Sequence, residues 1–89
     1  MSTTSRDLPR LQHVLNYVST MAVWSVRSTT PGTQPHWSAL VWLADVQDAI
    51  GEIAAPALQD SWRRAARNTR KRAAAEEQTL AAPPWQVAS

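Results

Sequence analysis

Trp37 to Ala44 reads WSALVWLA, eight residues of which only Ser38 is polar. With each residue turned about 100° from the last, Ala39, Trp42, Leu43, Val46, Ala49, Ile50, Ile53 and Ala54 fall on one helical face, and Asp45, Asp48 and Glu52 on the other. That division is clean after residue 45. Before it, Trp37, Leu40 and Val41 occupy the opposite side as well, so the first two turns are apolar nearly all round. Such a helix must be covered twice. One side belongs to a hairpin mate; the other is left for a third helix, a second copy of the chain or a foreign chain.

On the N-terminal side, residues 1 to 6 read as a tail, and Thr4, Ser5 and Asp7 offer oxygens to cap a helix whose first turn takes Pro9. The predicted helix spans 7 to 28. Leu11, Val14, Leu15, Val18, Met21, Ala22 and Ser25 recur on its inner face, and Tyr17 and Trp24, seven apart, widen that stripe on one flank. The stretch TTPGTQ, with its Pro31-Gly32 turn dipeptide, makes a tight connection to a second helix predicted over 36 to 55. Pro56 cannot donate to the carbonyl of residue 52, which kinks the helix there or breaks and restarts it.

A third helix is predicted over 56 to 82, with Leu58, Trp62, Ala65, Ala66, Thr69, Ala73 and Leu80 along a thin, alanine-rich side. Pro83 and Pro84 then end it and begin an extended tail, 83 to 89, that carries Trp85. The expected fold is a single small all-α domain: an antiparallel helical hairpin with a third, basic helix after a proline bend.

At 89 residues the chain has little interior, and without cysteine it has no disulfide or zinc-thiolate site to reinforce one. Its longest nearly apolar run is the eight residues 37 to 44, against the roughly 20 that a bilayer crossing needs, and its first residues lack the pattern of a secretory leader. The expectation is therefore no membrane partner and a cytoplasmic location, or a virion if the source is a phage. Eight arginines against one lysine, with fifteen alanines, suit a GC-rich genome such as that of an actinobacterium or its phages.

The net charge of +2 hides electrical banding: residues 45 to 62 carry four acids and no base, while residues 63 to 72 carry six bases and no acid. Such bands favour a complementary surface, including an antiparallel copy of the chain.

No constellation for catalysis emerges. His13 and His36 lack the spacing of a metal pair and have no acidic neighbour in sequence to orient them, so both read as surface or loop histidines. Asp45, Asp48 and Glu52 form a carboxylate stripe of the kind found on solvated helix faces. Two glycines cannot build a phosphate-cradling loop. No enzyme activity, cofactor or metal is expected.

Two features remain. Arg63, Arg64, Arg67, Arg70 and Lys71 share an arc of about 120°, and five phosphate contacts would give a log-log salt slope of about −4 to −5. Asp60, one turn before Arg64, is placed to pair with it. The five tryptophans are the other feature, and each can bury about 200 Å². Trp42 and Trp62 are expected in the core. Trp37 and Trp85 are left either for helix three and the tail to cover or for a partner.

The function expected is that of a non-catalytic interaction module binding other protein chains, self or foreign. It would act as an oligomer, as an accessory subunit of a larger assembly such as a phage particle, or as a small inhibitor. Trp37, Leu40, Val41 and Trp85 would supply the apolar contact, and the basic stripe would meet an acidic surface. The alternative is a DNA- or RNA-binding accessory protein using Arg63, Arg64, Arg67, Arg70 and Lys71.

Overall fold

The computed structural model describes residues 7 to 81, with side chains from Pro9 onward, and consists of three α-helices with no strand among the described residues. Helix α1 runs Asp7–Ser28, α2 Gln34–Ile53 and α3 Pro56–Ala81. The expected all-α class and hairpin arrangement are both observed: α2 packs against α1 and against α3. Among the described residues, no Cα of α1 comes within 8 Å of one of α3. Helix α2 is the shared partner of two helices that do not pair with each other.

The connections follow from their residues. Thr33 N–H donates to the Thr30 carbonyl at 3.3 Å across Pro31 and Gly32, and Gly32 has a φ of 84°, a left-handed conformation that glycine adopts without a Cβ clash. Thr33 then caps α2, its Oγ1 accepting from the His36 amide at 3.4 Å. This cap starts α2 at Gln34, two residues before the sequence-based boundary.

At the other end the helix breaks rather than kinks. Ala54 is extended, with φ −69° and ψ 156°, and Pro56 opens α3 where its missing N–H costs nothing. Gln59 Nε2 donates to the Ala54 carbonyl at 3.2 Å, satisfying an acceptor that the helix end would otherwise leave open.

The core lies along α2. Ala39, Leu40, Leu43, Ala44, Val46 and Ile50 are buried there, joined by Ala22 from α1 and by Ala66 and Ala73 from α3. Leu40 is the one large side chain fully withdrawn from solvent among the described residues. Gly51 allows α3 close: a Cβ at that position would lie 3.2 Å from Trp62 Cβ. Inside the seam, the Thr69 hydroxyl has Gln47 Oε1 at 2.8 Å and the Ala65 carbonyl at 2.9 Å as acceptors. No buried side-chain polar atom among the described residues lacks a partner.

Candidate interaction surfaces

Helix α1 has two apolar stripes. Leu15, Val18, Ala22, Ser25 and Val26 are buried or half-buried and form the side turned inward. Offset from them by about 100° runs a second set at the same three-and-four spacing, Val14, Tyr17, Met21 and Trp24. Tyr17 and Trp24 are each 66% exposed, and Leu11, Val14 and Met21 between 42% and 50%. Sequence reading had merged the two stripes into one. The separating signal was present: Leu11, Val14, Leu15, Tyr17, Val18, Met21 and Trp24 spread over half the helix circumference, too wide for one mate to cover.

The residues expected to meet a partner are placed differently. Leu40, with no exposed surface, belongs to the core and is withdrawn from the partner role expected of it. Trp37 and Val41 are half-buried and line a cleft of about 230 Å³ with Arg70, Ala73, Ala74 and Glu77 of α3. The second side of WSALVWLA is therefore covered largely by α3. Trp85 lies outside the described residues. Trp42, expected in the seam, is 40% exposed, whereas Trp62 is half-buried beside Gly51.

Helix α3 brings the basic stripe together. Arg63, Arg64, Arg67, Arg70 and Lys71 are all exposed. Arg70 reaches across to α2, with Nη2 2.5 Å from Asp48 Oδ2 and 3.3 Å from Asp45 Oδ1. The hydrogen bond to Asp48 is the largest influence on this guanidinium and, with Asp45, raises its pKa. Two of the three carboxylates of the stripe are thus intramolecular counterions rather than a solvated face. The expected Asp60–Arg64 pair does not form, and among the described residues no carboxylate lies within 4 Å of Arg63, Arg64, Arg67 or Lys71. Asp48, Arg63, Arg67, Arg70, Lys71 and Ala74 line an open groove of about 430 Å³.

His36, expected at the surface or in a loop, is instead buried at the start of α2. It is 2% exposed, and its Nδ1 lies 2.7 Å and 2.8 Å from the two carboxylate oxygens of Glu76 on α3. Glu76 Oε1 also accepts from the Gly32 amide at 3.1 Å. Burial pushes the Glu76 carboxyl up, but hydrogen bonds from His36 and Gly32, helped by charge from His36 and Arg72, hold it below its ordinary value. One carboxylate therefore fastens the interhelical turn, the start of α2 and the last third of α3. Its partners stand 40 and 44 residues away, which is why no neighbour in sequence announces them.

No group of three or more His, Cys, Asp or Glu among the described residues is arranged to hold a metal ion, and no described helix is long and apolar enough to cross a membrane. Comparison of the chain with models of known protein families gives no match, and comparisons with curated proteins and with solved structures give none either.

Proposed function

We propose that this protein is a non-catalytic helical interaction module that pairs with a second copy of itself through the outer stripe of α1. The observation carrying this reading is the continuous exposure of Val14, Tyr17, Met21 and Trp24 along one side of a helix. Isolated apolar residues on a surface need no explanation, but a contiguous patch of several hundred Å² marks a contact site.

Three arguments favour a second copy as the occupant. The first is area: taking about 150–250 Å² for a large side chain, the exposed parts of the four residues amount to roughly 450 Å² per chain, and two copies approach the roughly 1,000 Å² that a specific interface requires. The second is self-complementarity. In an antiparallel pairing with its two-fold axis level with Ser19, Val14 faces the partner's Trp24 and Tyr17 faces the partner's Met21. Arg10 then meets the partner's Ser28, so no charge opposes a like charge. The third is need: among the described residues Leu40 is the one large side chain fully buried, and a second helix layer adds to a small core.

Sedimentation of the full chain tests this. Dimers are expected at tens of micromolar, about −6 to −7 kcal/mol of association, and the double variant Y17S/W24S is expected to sediment as a monomer with unchanged helical circular dichroism. A wild type that stays monomeric up to about 100 μM overturns the reading.

A further inference from the structure

We propose that the groove between α2 and α3 is a sequence-independent site for the phosphate backbone of nucleic acid. Its wall is built from Arg63, Arg67, Arg70 and Lys71, with Asp48 as the single acid lining it. The structure divides these cations by role. Arg70 is occupied, tied to Asp48 and Asp45 across the seam, and so sets the position of α3 against α2 rather than waiting for a ligand. Arg63, Arg67 and Lys71, with Arg64 beside them, are exposed and without a carboxylate within 4 Å among the described residues. Steps of four residues from Arg63 to Arg67 and from Arg67 to Lys71 repeat the cations about every 6 Å along the helix axis. That is a linear array suited to a linear polyanion.

The lining decides among polyanions. A protein interface of useful affinity is anchored at its centre by buried aromatic or aliphatic side chains, with charge at the rim. Here the sole apolar lining residue is Ala74, so an acidic protein would find charge without an anchor. A lipid surface requires bulky apolar side chains to insert beside the cations, and again only Ala74 is available. A phosphate backbone needs neither: guanidinium forks take phosphate oxygens in bidentate fashion, and affinity comes from released counterions. The lining is a row of cations, one acid already paired with Arg70 and an alanine, so what it offers is contact to charge rather than to a particular base sequence. The site is separate from the outer stripe of α1, and either proposal can fail while the other stands.

Fluorescence anisotropy of the full chain with a labelled duplex of about 20 base pairs, titrated from about 50 to 200 mM salt, provides the test. Four available cations predict a log-log slope of about −3.6 on duplex DNA and about −2.8 on a single strand of the same length. R63Q/R67Q/K71Q is expected to bring the duplex slope to about −1 and to weaken binding at least about tenfold at 50 mM. Should that variant lose its helical circular dichroism, R67Q/K71Q carries the test with an expected slope of about −2. R10Q/R27Q, which removes two cations from α1, is expected to bind like the wild type. Absence of wild-type binding at 50 mM overturns the proposal. So does competition by polyglutamate as effective, charge for charge, as that by unlabelled duplex, or equal binding to anionic phospholipid vesicles.

Discussion

Between α2 and α3 the chain places small side chains, Ala44, Gly51, Ala66, Thr69 and Ala73; along the outer stripe of α1 it places large ones, Val14, Tyr17, Met21 and Trp24. The small residues are buried and the large ones are not. A helix pair lined with glycine, alanine and threonine brings its axes together, and each short side chain is then sealed by the opposing backbone. Close approach also allows long-range polar contacts: Thr69 with Gln47, and Glu76 with His36, pair because the helices are near enough for short reaches. Helix α1 has the larger transfer energy to gain, yet α2 offers it one face and α3 never approaches it. Bulk alone does not create a core; a second surface at the right distance is needed.

Leu40 breaks or upholds that contrast with the largest expected effect. Leu40→Ala removes the single large side chain held wholly inside among the described residues and should cost about 2–5 kcal/mol, close to the whole stability of so small a domain. Trp24→Ala deletes more apolar surface, but from a ring already in water. In urea denaturation at a concentration where the chain is monomeric, it should shift stability by no more than about 0.5 kcal/mol. Were Trp24→Ala the costlier of the two in the monomer, α1 and not the seam would be the core.

Glu76 sharpens the same contrast at the next scale. Glu76→Ala leaves the buried His36 Nδ1 without its partner and should cost about 1–3 kcal/mol. The carboxyl is held below its ordinary value in the fold, so folding favours its ionised form. Its contribution is therefore fully present above pH 4.5, its ordinary value, and is lost as the pH falls from there through the lower folded value. Stability of the wild type relative to Glu76→Gln, measured by urea denaturation from pH 7 to pH 3, should shrink across that window. A difference that stays constant would mean that Glu76 is not held as the carboxylate.

The three helices were legible because their signals are local: a Pro-Gly turn, a proline at a first turn, apolar spacing along one face; Pro56 marked a disruption without deciding between a kink and the break observed. The sites were less so. A helical wheel cannot say whether an apolar arc has a neighbour, and Tyr17 and Trp24 therefore read as an extension of the packed stripe when α3 had gone to the far side of α2. The same reading assigned Leu40 to a partner because it stands opposite the seam with α1, the side that α3 occupies. His36 and Arg70 share one cause of error. Their acidic partners, at Glu76 and at Asp45 and Asp48, are fixed by how α3 folds back, information spread over the whole helix pair rather than written near either residue.

The smallest effect concerns Arg70, and its smallness is informative. Its ion pairs with Asp48 and Asp45 cross the same seam as the Glu76 contacts, but the guanidinium is half exposed. Water and salt screen such a pair, so Arg70→Gln should cost only about 0.2–1 kcal/mol, and that cost should fade by 1 M salt, where the screening length is about 3 Å. The Glu76→Gln effect, in a pair whose histidine is buried, should persist under the same conditions. Paired urea titrations of the two variants at low and high salt therefore separate contacts that hold the seam from inside from those that lie along its rim. If the Arg70→Gln cost survives 1 M salt undiminished, the rim is drier than its exposure implies, and the groove beside it is a poorer place for a hydrated phosphate chain.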